Sequence, residues 1–214
     1  MLKVGLTGGI ACGKSTTLDL FASLGAHTLR ADLVAHEMMA PGQAVYDNIL
    51  ATFGSGILGP DLTISRPMLA AMAFPSRIAE LNAIVHPAVL LYEEQWMRRM
   101  EEADPRGVAI CEAALLIEAG GMARFDRILV VTCSMAQKVE RFAARTGVSP
   151  EFAAVEVATR MAAQMPEEAK AALANHVIDN SGTLEQLAVR VAEIWQELAR
   201  AAATVPQDNR PASS

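Results

Sequence analysis

The chain has 214 residues and a mass of 22.8 kDa, the size of one compact domain or of a core with a small appended subdomain. Hydrophobic residues make up 52% and charged residues 20%, which supplies a core and excludes intrinsic disorder. A net charge of -6 and a pI near 5.3 exclude adhesion to DNA, RNA or anionic lipid by bulk electrostatics, so any anionic ligand must be met by local groups. Alanine fills 39 positions, and since Ala is the best helix former the chain should be rich in helix, with few, buried strands. In chain order those strands are 2–7 (LKVGLT), 26–30 (AHTLR), 107–112 (GVAICE), 127–133 (RILVVTC) and 175–179 (NHVID). The third and fourth are continuously apolar rather than alternating, as strands covered on both faces should be. Between the second and third strands, 33–100 shows helical periodicity, broken by the Gly/Pro-rich stretch 54–60 (GSGILGP). A second helical excursion, 134–173, separates the fourth strand from the fifth. Ser134 with Gln137 and Thr183 with Gln186 fit capping boxes, and Ser149 before Pro150 fits an N-cap with proline in the first turn. The polar, Pro-containing end, 204–214 (TVPQDNRPASS), is expected to fray. Alternation of strand and helix implies parallel pairing, hence an α/β fold.

Cys12, Cys111 and Cys133 are odd in number, form no CxxC and lie in or beside apolar stretches, which suits a reduced compartment. The opening MLKVGLTGG lacks a basic n-region and apolar h-region, and no apolar run approaches the ~18 residues that span a bilayer, so a cytoplasmic chain without a membrane partner is expected.

Residues 8–15 read GGIACGKS, the pattern GxxxxGK followed by Ser or Thr, with an apolar strand before it and a helical pattern after it. Gly8 and Gly13 permit a tight loop whose inward amides, with the N-terminus of the next helix, form a nest for nucleotide phosphates. Lys14 can reach the β and γ phosphates, and the Ser15 hydroxyl can ligate Mg2+ bridging them. Gly9, Ile10, Ala11, Cys12, Gly13, Lys14, Ser15 and Thr16 thus form the candidate ATP loop. The position of Cys12 beside Lys14 and a helix N-terminus is expected to lower its thiol pKa. A dinucleotide site does not fit, because GxGxxG is absent and Cys12 stands where a second reductase pattern needs glycine. NKxD and LSGGQ are absent as well, leaving a small kinase whose helical excursions close over an acceptor and exclude water.

Asp32 follows the second strand at the carboxyl edge of the expected sheet, where open α/β folds place ligands. A carboxylate there can take the acceptor hydroxyl's proton and orient its oxygen for in-line attack, or it can N-cap a helix over 33–40. Arg141 and Arg145 stand four apart on one helix face and could both turn into one cleft, as clamps on a transferring phosphoryl group. His86, alone before Pro87, reads from the residues as a packed or capping side chain, and Asn180 in NSG as a turn. Met38, Met39, Met97 and Met100 read as core filling.

From about residue 3 to residue 190 the chain resembles the dephospho-coenzyme A kinase family. The resemblance rests on GLTGGIACGKS (5–15), RADLVAHEM (30–38), LNAIVHP (81–87), ALLIE (114–118), FDRILVV (125–131), QKVERFAAR with Arg141 and Arg145, RMAAQ (160–164) and VIDNSG (177–182), in shared order and spacing. It implies a P-loop three-layer α/β fold with a five-stranded parallel sheet. The expected parts are a nucleotide-binding core of 1–32, 101–133 and 174–203, an acceptor-binding insertion of 33–100 and a lid of 134–173. The implied reaction is transfer of the ATP γ-phosphoryl group to the ribose 3'-hydroxyl of dephospho-coenzyme A, with Mg2+ as cofactor. The resemblance makes Asp32 the base, puts Arg141 and Arg145 in a lid over ATP, sets Asn180 near the adenine, and makes Arg66, Asn82 and His86 contacts of the coenzyme A portion. From the acidic balance no nucleic-acid partner is expected, and the protein is expected to be a monomer or weak homo-oligomer. Two departures stand out: Arg30 replaces an acidic residue of a DxD pattern, and Ala114 replaces the proline of PLLxE. A kinase for another acceptor, or a nucleotide-binding protein without turnover, shares the same loop.

Overall fold

The computed structural model describes residues 1–74 and 76–205; of the tail expected to fray, 204–214, Thr204 is the last residue of a helix and 206–214 lie outside the described residues. The elements in order are β1 (Leu2–Gly8), α1 (Lys14–Ser23), β2 (His27–Arg30), α2 (Ala31–Met38), α3 (Ala44–Phe53), α4 (Arg66–Ala73), α5 (Ile78–Ala103), β3 (Val108–Glu112), β4 (Arg127–Thr132), α6 (Met135–Thr146), α7 (Pro150–Ala162), α8 (Glu167–Ala172), β5 (His176–Asp179) and α9 (Leu184–Thr204). The five strands form a parallel sheet in the order β2-β3-β1-β4-β5. β1 is central, pairing with β3 from Leu2 opposite Val108 to Leu6 opposite Glu112, and with β4 from Val4 opposite Arg127 to Gly8 opposite Val131. β4 in turn pairs with β5, from Leu129 opposite His176 to Thr132 opposite Asp179. The fold class is therefore the expected α/β architecture.

By contacts the chain forms two units, one of Met1–Leu29 with the chain from Met97 onward, the other Arg30–Trp96. In the first, alternate residues of the strands face opposite layers. Leu2, Val4 and Leu6 of β1, with Leu129 and Val131 of β4, pack against Leu18 and Phe21 of α1 and the Leu187, Val191, Ile194 and Leu198 stripe of α9. Ile128 and Val130 face the other way, onto Leu116, Ile117 and Phe125 of the connection after β3. Gly5 lies under this layer, and a methyl group on it would stand 2.7 Å from Leu116 Cδ1, so the side chains above it would have to shift. Both capping boxes form, at Ser134 with Gln137 and at Thr183 with Gln186, and the Ser149 side chain accepts from the Phe152 amide.

The second unit is helical. Val45, Ile49 and Phe53 of α3 and Leu69 and Ala73 of α4 pack with Ile57, and Leu81, Ile84, Val85 and Ala88 of α5 complete that core together with Met38 and Met39, which fill space as expected. Arg77 fastens the start of α5 to the end of α3: it donates to the Thr52 carbonyl at 3.0 Å, pairs with Glu80 and lies 4.4 Å over the Phe53 ring. α5 carries Pro87 in its interior. Among the described residues no helix is long and apolar enough to cross a membrane.

Candidate active site

The carboxyl ends of the inner strands gather one set of groups. β1 ends in Gly8, whose φ of 152° is outside ordinary L-residue space and whose missing side chain leaves room for the Val131 carbonyl of β4. The loop then runs through Ala11, at φ 53°, to Gly13, which caps α1 in the left-handed region at φ 91°. A side chain on Gly13 would collide with the Asn180 amide. The cap has no side-chain acceptor, so the first-turn amides of α1 are left for a ligand, and an anion suits them. Lys14 donates to the Gly8 and Gly9 carbonyls at 3.2 and 3.0 Å, which keeps its ammonium on the loop. Ser15 and Thr16 are exposed, whereas Thr17 is buried and closes the turn through its hydroxyl bond to the Gly13 carbonyl at 3.0 Å.

Three side chains brace this loop. Asn180, just past β5 and 6% exposed, donates Nδ2 to the Cys12 carbonyl at 2.9 Å. Arg141 of α6 donates to the Asn180 carbonyl at 3.0 Å and to the Cys12 carbonyl at 3.4 Å. Glu112, the last residue of β3, accepts from the Ser15 hydroxyl at 3.4 Å. Glu112 is not among the residues that the sequence motifs single out; its signal in the sequence is a carboxylate closing an apolar strand. A hydroxyl and a carboxylate offer hard oxygen donors, the set magnesium prefers, so the residues present fit that ion.

Two expectations are corrected. Cys12 does not have a lowered pKa: burial of its side chain in the main core pushes the thiol up, and the nearby Lys14 charge only partly offsets that. Burial likewise raises the Cys133 thiol, although Arg141 and Lys138 pull the other way. Asp32 is not an N-cap, because α2 begins one residue before it and Arg30 holds the cap; Asp32 is exposed in the first turn, where a carboxylate favours the helix dipole.

Arg145, on the same helix as Arg141, is exposed, and its guanidinium lies 5.6 Å from the ring of buried Phe142, with Arg160 at 5.3 Å from the same ring. Four other predicted residues belong to the second unit. Asp32 follows β2 directly, Arg66 opens α4 and is exposed, and Asn82 and His86 stand one turn apart on α5, half-buried and exposed respectively.

The stretch 134–173 carries ion pairs that the sequence did not reveal. Lys138 of α6 is 2% exposed and its ammonium lies 2.5 Å from Glu167, the first residue of α8. Lys170, fully buried, pairs with Glu118 at 2.7 Å, and the same Glu118 oxygen accepts from the Met165 amide at 3.2 Å.

A family model described as Dephospho-CoA kinase matches residues 2–186. A dephospho-CoA kinase of Geobacter sulfurreducens is 44% identical over 196 residues, covering 90% of this chain and 96% of its own. One of Thermobifida fusca is 39% identical over 202 residues, covering 94% and 98%. A crystal structure from Thermus thermophilus matches with a TM-score of 0.77 at 32% identity, over 92% of this chain and 97% of that one. The Campylobacter jejuni dephospho-CoA kinase, at 22% identity and a TM-score of 0.66, shares the fold.

Proposed function

The chain belongs to the dephospho-CoA kinase family, and from that premise we propose which of its own residues carry the reaction. The activity is phosphorylation of dephospho-CoA by ATP at the ribose 3'-hydroxyl, giving coenzyme A and ADP, the last step of coenzyme A synthesis. The observation that carries the assignment is the braced loop at the amino end of α1, with its left-handed Gly13 seated against Asn180 and its Lys14 on the loop carbonyls.

Residues 9–16 wrap the triphosphate with main-chain amides, and Lys14 exchanges its two carbonyl bonds for β and γ oxygens. Arg141, already at the loop, offers charge-assisted hydrogen bonds to the transferring group, which has to be stabilised where its charge spreads. Arg145 adds a second cation from the same helix, and Asn180 supports the nucleotide side of the loop. Ser15 and Glu112 would hold Mg2+, which when bound neutralises charge on the phosphates. Asp32 accepts the hydroxyl proton and aims its oxygen in line with the γ phosphorus. Arg66, Asn82 and His86 bind the coenzyme A portion. The same reading keeps the enzyme cytoplasmic, a monomer or weak homo-oligomer without nucleic-acid or membrane partners, in line with its acidic balance.

The test supplies ATP, Mg2+ and dephospho-CoA and follows ADP and coenzyme A together, with Lys14→Ala as control and a panel of other alcohols as competing acceptors. Asp32→Asn is expected to lower kcat by about 10²- to 10⁴-fold while ATP affinity stays at the wild-type value. An equal loss of ATP affinity would remove Asp32 from the proton-transfer role and leave it a helix-terminal carboxylate.

A further inference from the structure

One ion pair beside the loop is left unused by the roles above. Lys138 projects from α6, three residues before Arg141, and is almost wholly buried, with Glu167 accepting from its ammonium. Glu167 spends one oxygen, Oε2, on that bond. Its other oxygen, Oε1, is buried and has no hydrogen-bond partner among the described residues. Both side chains press on the phosphate loop: a methyl group built on Gly9 would stand 2.5 Å from Glu167 Oε1 and 3.5 Å from Lys138 Cε. The other buried pair of this region is arranged differently, because the Glu118 oxygen that holds Lys170 also takes the Met165 amide, and Lys170 reaches Gln164 at 3.5 Å. That is the arrangement of a clasp, in which buried polar groups satisfy one another. Glu167 instead keeps a bare anionic oxygen against a loop built to receive anions, an arrangement that costs free energy as long as it lasts.

A triphosphate on residues 8–15 reverses the balance. It brings several negative charges to within a few ångströms of Glu167, which they repel, and of Lys138, which they attract. The ammonium has three donors, and Glu167 uses one of them. We propose that Lys138 is a further phosphate-binding residue of this site, held beside the loop by Glu167 until nucleotide replaces that carboxylate as its partner. This rests on the phosphate-loop reading of residues 8–15. Lys138 then acts as a further cation on the phosphates beside Lys14, Arg141 and Arg145, and Glu167 sets how much of its charge the empty site withholds.

The experiment measures ATP and adenosine binding to the full-length protein by calorimetry, without acceptor, together with the melting temperature. Wild-type ATP binding is the control, and its absence would overturn the loop reading rather than this one. Lys138→Met is expected to raise the Kd for ATP about tenfold or more, the loss of one charge-assisted hydrogen bond, while adenosine binding is unchanged. Glu167→Gln, which keeps the shape and removes the charge, should bind ATP more tightly than wild type. The double variant Lys138→Met with Glu167→Met removes the clasp from both sides and should recover the melting temperature but keep the weak ATP binding. If the double variant instead recovers wild-type ATP affinity, or Glu167→Gln weakens ATP binding, the pair is a structural clasp and the proposal fails. Should Lys138→Met not fold, Glu167→Gln decides the question alone.

Discussion

Replacing Asn180 by alanine removes the donor that holds the Cys12 carbonyl at 2.9 Å and leaves that carbonyl with only the longer 3.4 Å contact from Arg141. Asn180 is 6% exposed, so water cannot freely take over the bond. A wholly unsatisfied buried acceptor costs about 1–3 kcal/mol, and one left with a single long contact loses up to that much. For a chain of this size each kcal/mol moves the melting temperature by about 2–4 °C, so Asn180→Ala should melt below wild type by up to about 2–12 °C. The loss does not stop at stability. A freed Cys12 must be immobilised again whenever phosphate binds, and fixing one residue's backbone costs about 1–2 kcal/mol, so ATP affinity should fall by about tenfold. Scanning calorimetry and ATP titration on the same preparation read both effects. Asn180→Leu supplies volume without a donor and should fare no better than alanine. Wild-type melting and wild-type ATP affinity in Asn180→Leu would refute the reasoning, since packing rather than the amide would then be what secures the loop.

Gly13→Ala should be worse for binding than for folding. A left-handed φ of 91° costs an L-residue about 1–2 kcal/mol, and the new methyl displaces the Asn180 amide. The expected result is a melting point a few degrees lower with ATP binding lost, read by circular dichroism and titration. Acid should expose the Glu118 pair. Burial pushes the Glu118 carboxyl up, but the Lys170 ammonium and the backbone amides of Glu118 and Met165 outweigh it, so its pKa lies below the ordinary 4.5. A depressed folded pKa means that the pair's stabilisation is whole above pH 4.5 and is lost as the pH falls through the lower folded value. Lys170→Met should therefore lower the melting temperature at neutral pH and flatten its decline below pH 4.5. A parallel decline in the two proteins would show that Glu118 is not the group responsible.

What the sequence made legible was whatever is local. The five strands appear within a residue or two of their expected bounds, because continuous apolar runs such as ILVV have few alternatives in a chain with so much helix-forming alanine. The capping boxes and the phosphate loop depend on neighbours three to six residues away, and they form. What stayed hidden depends on residues distant in sequence. At Cys12 the charge neighbours are visible in the sequence and the burial is not: the side chain faces a core that includes residues of β3, β4, β5 and α9. Glu112, Lys138 and Glu167 look like ordinary surface charges until the carboxyl ends of β1 and β3 and the start of α8 are set beside one another. Arg145 shares a helix face with Arg141 in the sequence, but the contact of its guanidinium with the Phe142 ring depends on side-chain packing that spacing does not show.

Cys12 has a consequence for anyone altering this protein. Its sulfur end belongs to the oily interior while its carbonyl end is tied by Asn180 and Arg141, so a single residue is shared between the foundations and the workbench. A bulkier replacement there cannot be accommodated on one side without being felt on the other, and substitutions among the apolar neighbours of its thiol reach the nucleotide without ever touching it.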